Sequence, residues 1–131
     1  MIGIARAKGV SAYVGDGSNR WSAVHRFDAA HLFRLALEAA PAGARLHAGG
    51  DEAVPVRDIV DVTGPQVKLP VTAVPCAEAA GHFGWRAPFV SLDNPASSTL
   101  TQKQLGWHPV QAALIPDLEE GHYFNDQTSK F

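Results

Sequence analysis

The chain has 131 residues, 46% hydrophobic and 18% charged, which suits a folded domain with its own core and excludes global disorder. Eleven Lys and Arg against 13 Asp and Glu leave a net charge of −2, so the basic footprint of a nucleic-acid or anionic-membrane binder is missing. No apolar run approaches the roughly 18 residues a membrane span needs, and the single cysteine, Cys76, cannot form an internal disulfide, which points to a reducing cytoplasm.

Met1 to Lys8 reads as a short amphipathic helix stopped by Gly9. It has no long apolar stretch of the kind a secretory signal carries. Its first turn also lacks a Ser, Thr, Asp or Asn cap, which suggests an ancestral chain that began further upstream. Ser11-Ala12-Tyr13-Val14 is a strand candidate ended by the turn Gly15-Asp16-Gly17-Ser18-Asn19, and Ala23-Val24-His25-Arg26 is a second. Asp28 sits where an N-cap belongs, and Leu32, Leu35, Ala36 and Ala39 follow at helical spacing, predicting a helix over about 29–40 closed by Pro41-Ala42-Gly43.

Arg45-Leu46-His47-Ala48 reads as a buried strand punctuated by Gly49-Gly50. Pro55 fits the first position of a helix carrying Val56, Ile59, Val60 and Val62, with Gly64-Pro65 as its stop. Val71-Thr72-Ala73-Val74 is a fourth strand, and Pro75 with Ala77 to Ala80 suggests a short helix. Pro88 to Pro95 reads as a loop, Ser98 as the cap of a helix to Leu105 ended by Gly106, and Pro116 as the start of a last helix with Leu118 on its apolar side. The expected class is α/β or α+β: a small sheet of short strands with about five short helices, in one domain over 1–124 and a polar tail over 125–131.

The chemistry-bearing patterns are sparse. Gly15-Asp16-Gly17 lacks the third glycine of a dinucleotide loop, because Arg20 stands there, and a strand follows in place of a helix; a plain turn is the better reading. His25 and His31, like Cys76 and His82, are six apart, which does not match the i,i+4 spacing of a metal site on a helix, so no metal is expected. No Gly-x-Ser-x-Gly elbow occurs, and the adjacent carboxylates Asp51-Glu52 and Glu119-Glu120 read as solvated surface. Arg20-Trp21 stands out, since a guanidinium suits a phosphate or carboxylate and an indole gives it a flat apolar wall. Trp85-Arg86 repeats the pair, while Trp107 after Gly106 reads as a packing residue.

Arg20-Trp21-Ser22-Ala23-Val24-His25-Arg26-Phe27-Asp28-Ala29-Ala30 resembles the "R-x-x-x-V-H-x-x-D-x-A" segment of extended short-chain dehydrogenases/reductases, the NAD(P)-dependent epimerase/dehydratase group. Gly43 to Gly49 is similar to that family's late sheet strand, Val54 to Ile59 to the helix after it, Leu105-Gly106-Trp107-His108-Pro109 to its "LGW-x-P" signature, and Leu118 to Gly121 to its closing helix. The resemblance covers about residues 3–124 and corresponds to the family's C-terminal, substrate-binding half. It implies an incomplete Rossmann-type enzyme without the N-terminal cofactor-binding half. Arg20 would contact substrate, Trp21 would be a pocket wall, Asp28 would cap its helix, and Ala48 and Gly49 would end a sheet strand whose neighbours are absent. NAD or NADP is implied for full-length members and no cofactor for this chain alone.

The departures are equally specific. The family's Tyr-x-x-x-Lys is missing, since Tyr13 is followed four positions on by Gly17 and Tyr123 by Gln127, and so is the glycine-rich fingerprint. Without that pair there is no acid/base centre of this type, so no residue is expected to be catalytic. The expected function is therefore the substrate-binding portion of such an oxidoreductase, inactive alone, with Arg20, Trp21, Trp85 and Arg86 as its ligand residues. The expected partner is a second copy, as a dimer, or the missing N-terminal half. The alternative is a stand-alone module for binding small molecules or for oligomerisation.

Overall fold

The computed structural model describes residues 1–125; the polar tail from residue 126 onward lies outside the described residues. In chain order the elements are α1 (Ile2–Lys8), β1 (Ser11–Val14), β2 (Arg20–Ala23), α2 (Arg26–Ala39), β3 (Asp51–Pro55), α3 (Val56–Gln66), β4 (Val71–Val74), α4 (Ala79–Phe83), α5 (Ala87–Ser91), α6 (Thr99–Leu105) and α7 (Leu114–Glu119). Tight 3-10 turns occupy Cys76–Glu78, Gly84–Arg86 and His122–Phe124. The class is mixed α/β, as expected, with more helices than the sequence suggests and two two-stranded sheets, β1–β4 and β2–β3. None of these helices is long and apolar enough to cross a membrane.

The described residues divide into two compact units: residues 1–19, 55–93 and 115–125 form the first, and residues 20–54 and 94–114 the second. In the first, β1 and β4 pair in parallel, from Ser11 opposite Val71 to Val14 opposite Val74. Ala12, Val14 and Val74 from the sheet pack with Ala79, Phe83, Ala87 and Val90 from α4 and α5, and Met1 and Ile4 of the α1 segment close over them. The helix α1 ends as expected at Gly9, whose φ of 71° is left-handed and suits a residue without Cβ.

Two expectations in this unit change. Helix α3 runs through Gly64-Pro65 to Gln66. Gly64 is a packing residue, since a Cβ there would lie 2.5 Å from Val71 Cγ2, and the helix unwinds only beyond Pro65, where Val67 N–H donates to Thr63 and Leu69 N–H to Gly64. Pro55 is correspondingly the residue before the helix, its N-cap, and not its first position. The segment from Pro88 begins as helix α5: Pro88 falls in the first turn, where a missing N–H costs nothing, and the Ser91 hydroxyl donates back to the Ala87 carbonyl.

In the second unit, α2 begins at Arg26, with His25 as N-cap: its Nδ1 accepts the Phe27 N–H at 3.2 Å. Asp28 is therefore not the cap. It lies inside the first turn, buried, and its two carboxylate oxygens accept the Val110 and Gln111 N–H groups at 3.0 Å each. Trp107, fully buried, donates its indole N–H to the Asp28 carbonyl. The strand expected at Ala23 to Arg26 forms earlier, as β2, because the backbone turns into α2 at His25.

Arg45 to Ala48 forms no strand, because no neighbouring strand among the described residues offers it a ladder. Side chains hold the segment instead: Thr101 Oγ1 accepts the His47 N–H at 2.7 Å, and the Ser98 hydroxyl donates to the Gly49 carbonyl. Ser98 thus precedes α6 without capping it through its side chain. Gly106, at φ 64°, ends α6 as expected. The strand of this region is β3, six residues later than expected, and the Asn94 and Ala96 N–H groups donate to the carbonyls of Arg20 and Glu52.

Candidate functional site

The candidate ligand residues divide between the units. Arg20 and Trp21 lie on β2 in the second, Arg20 exposed and Trp21 half-buried, with Trp21 bridged in parallel to Asn94. Trp85 and Arg86 lie in the first, within a 3-10 turn and not a loop. Both are exposed, the Arg86 guanidinium stacks 4.6 Å above the indole, and Phe89 meets Trp85 edge-on at 6.1 Å. Stacking occupies one face of a guanidinium and leaves its N–H edges for a ligand.

Arg86 also lines a cleft of about 570 Å³ between α1 and α4. Gly3, Ile4, Lys8, His82 and Phe83 line it too, and among the described residues no carboxylate does. Lys8, Gly81 and His82 extend into an adjoining cleft of about 460 Å³ that Glu78 faces. The ring of His82 packs edge-on against Phe83, and its Nε2 is buried without a hydrogen-bond partner. Burial, with a smaller contribution from the Lys8 ammonium, holds the imidazole below its ordinary value of 6.5, so it is neutral at physiological pH. A buried polar atom left unpaired costs about 1–3 kcal/mol, so this one is a structural exception. Six-residue spacing from Cys76 gave no hint of it; only the burial of the ring by Phe83 exposes the missing partner.

Neither glycine turn forms a strand-to-helix phosphate loop. The Gly15–Ser18 turn leads into β2, where a helix N-terminus would be needed to receive a pyrophosphate. Its donors are also taken: the Asp16 carboxylate accepts both the N–H and the hydroxyl of Ser18, which holds its pKa below the usual carboxylate range and sets a negative charge in the turn. Gly49-Gly50 likewise runs into β3. Nor could the turn hold a lysine four residues after Tyr13: Gly17 has φ 69°, and a Cβ there would lie 2.6 Å from Arg57 Cβ and 2.8 Å from the Tyr13 ring. The other tyrosine, Tyr123, donates its hydroxyl to Asp117 Oδ2 at 2.6 Å.

Asp117, Glu120 and His122 bring one potential metal-ligand atom each within 4.8 Å of one another. Glu120 is exposed, as the sequence suggests, with His122 Nδ1 3.7 Å from its carboxylate and His122 Nε2 3.8 Å from Asp117. The turn at Gly121, with φ 80°, folds the chain back so that these residues meet.

Architecture defines the class. The chain adopts part of a Rossmann-like dehydratase/epimerase fold, shown by its match to DesIV, a dTDP-glucose 4,6-dehydratase from Streptomyces venezuelae solved with NAD bound, at TM-score 0.66 and 19% identity over 94% of this chain and 36% of that one. Pal from Bacillus thuringiensis matches at TM-score 0.64 and 17% identity, again over 94% and 36%. RMD from Pseudomonas aeruginosa, solved with NADPH, matches at 0.55 and 17%, over 91% and 40%. No protein-family model matches the chain.

Among curated proteins, the uncharacterized protein C2A9.02 of Schizosaccharomyces pombe is 48% identical over 124 residues, 95% of this chain. The uncharacterized protein YLL056C of Saccharomyces cerevisiae is 43% identical over 125 residues, also 95% of this chain. The chain spans 42% of the length of each of these relatives.

Proposed function

We propose that this chain is the C-terminal, substrate-binding portion of an NAD(P)-dependent epimerase/dehydratase-like oxidoreductase of the cytoplasm, and that it carries no redox activity by itself. The observation that supports this most directly is the asymmetry of coverage: 94% of this chain matches DesIV, yet it accounts for only 36% of that enzyme. The unfit glycine turn and the Gly17 position that excludes a lysine agree with it. Arg20 and Trp21, with Trp85 and Arg86, are the proposed substrate contacts. Calorimetry of the isolated chain with NAD(H) and NADP(H) tests the reading. It expects no heat of binding, and stoichiometric binding would overturn it.

The same reading proposes a partner. Phe33 and Leu37 lie one turn apart on α2 and are 72% and 89% exposed. Apolar pairs left open on a helix face favour association. The partner is the cofactor-binding half of the longer protein; without it, a second copy takes its place as a dimer. A monodisperse monomer in light scattering at micromolar concentration would count against this.

A further inference from the structure

We propose that the cleft between α1 and α4 is a binding site for a phosphate group, held by Lys8, His82 and Arg86. Three independent features of the molecule converge there. The cleft, at about 570 Å³, is large enough for a phosphate with a small organic body attached. Among the described residues two permanent cations and no carboxylate line it, and neither Lys8 nor Arg86 forms an ion pair. The third feature is His82 Nε2, a buried polar atom that the protein itself leaves without a partner.

The chemistry selects the ligand class. Among the described residues Lys8 Nζ reaches only the Gly81 carbonyl, at 3.5 Å, a long contact that leaves its other N–H donors free. Arg86 is anchored by its face on Trp85, so its edge is available in a fixed orientation. Two positive charges balance a dianion, which favours a phosphate over a monocarboxylate. His82 Nε2 is closed to solvent. A turn of the ring brings it to a phosphate oxygen, which supplies the acceptor it lacks and selects the tautomer with the proton on Nε2. The floor is open as well: a Cβ placed on Gly3, Gly81 or Gly84 would meet nothing within 4 Å. The titratable groups that line the clefts with His82 are the Met1 amino group and Lys8 from the α1 segment, Glu78 on the preceding 3-10 turn and Arg86 on the following one; Glu78 lines only the adjoining cleft.

This site shares Arg86 with the proposed substrate contacts but depends on neither Arg20 nor any nicotinamide cofactor, so the two readings can fail separately. The test is an NMR titration of the histidine ring resonances in the whole chain with inorganic phosphate, against chloride at matched ionic strength. A saturable shift of His82 is expected with a Kd of about 1 mM. Lys8→Ala and Arg86→Ala, both at exposed positions that the fold tolerates, are each expected to weaken it about tenfold, with partial rescue by Arg86→Lys. Arg34→Ala, which removes an exposed i,i+4 pair in the other unit, should leave it unchanged. A glycerol phosphate titration then separates sources: tighter binding than inorganic phosphate assigns a phosphorylated metabolite, and equal binding assigns free phosphate. The proposal is overturned if His82 does not move, if chloride moves it equally, or if the Lys8→Ala/Arg86→Ala double variant binds as well as the parent chain.

Discussion

The two units of this chain are held together by different physics. The first has a parallel ladder, β1 on β4, and an apolar cluster from Ala12 to Val90 packed on one side of it. The second has only short ladder contacts and is tied by single polar groups reaching far along the chain. Asp28 accepts from Val110 and Gln111, Ser98 donates to Gly49, Thr101 accepts from His47, and Asp51 Oδ2 accepts from Leu114. Where a neighbouring strand would have satisfied the backbone of residues 44–49, the Thr101 hydroxyl takes the His47 N–H and the Ser98 hydroxyl the Gly49 carbonyl. Apolar surface stays uncovered in both units, at Phe33 and Leu37 in the second and at Trp85 and Phe89 in the first.

Four substitutions or titrations would break or sharpen this contrast. Phe83→Ala removes the largest side chain of the first unit's apolar cluster, 4% exposed, and is expected to cost about 3–5 kcal/mol. Urea unfolding followed through the fluorescence of Trp85, in the same unit, reads it. A loss under 1 kcal/mol would show that this cluster is not what holds the unit.

Asp28→Ala comes next, at about 2–4 kcal/mol, because it strands two backbone N–H groups that the carboxylate now receives at 3.0 Å. Asp28→Asn, which keeps an acceptor, should recover part of the loss; Trp107 fluorescence reports on this unit. If Asp28→Ala were as mild as a surface change, the polar account of the second unit would be wrong.

The third prediction concerns pH. Burial keeps His82 below 6.5, so the unfolded chain takes up a proton that the folded one refuses. Stability is therefore fully present above pH 6.5 and falls as pH drops from there through the depressed folded value. His82→Gln should flatten that part of the profile in equilibrium urea titrations from pH 7.5 to 5, and an unchanged slope would remove His82 as its source. Leu37→Ser is the smallest in stability, within about 0.5 kcal/mol, since its side chain is 89% exposed. Its effect should appear in light scattering, as weaker self-association than the parent chain.

Helical spacing in Leu32, Leu35, Ala36 and Ala39 gave α2 its place, and β-rich Ser11–Val14 and Val71–Val74 gave β1 and β4, because these signals are local. Gly9 and Gly106 were legible as helix ends for the same reason. Errors arose where a distant partner chose between local options. Asp28 is a good N-cap residue, but His25 takes that role and the carboxylate turns to a segment 82 positions away. Arg45 to Ala48 has strand composition without a strand beside it.

The candidate site divides in the same way. Composition and pattern gave the α/β or α+β class and the choice of Arg20, Trp21, Trp85 and Arg86 as ligand-type side chains, and the family resemblance marked the tyrosine–lysine pair as missing. Only the tertiary structure decided that Arg86 stacks on Trp85 and shares a cleft with Lys8, and that half-buried His82 holds a buried, unpaired nitrogen there. Periodicity and propensity act over a few residues and are written in the sequence itself. Burial and charge balance depend on which remote segments meet, as Lys8 and Gly81 do across 73 positions, and are fixed only when the chain has folded.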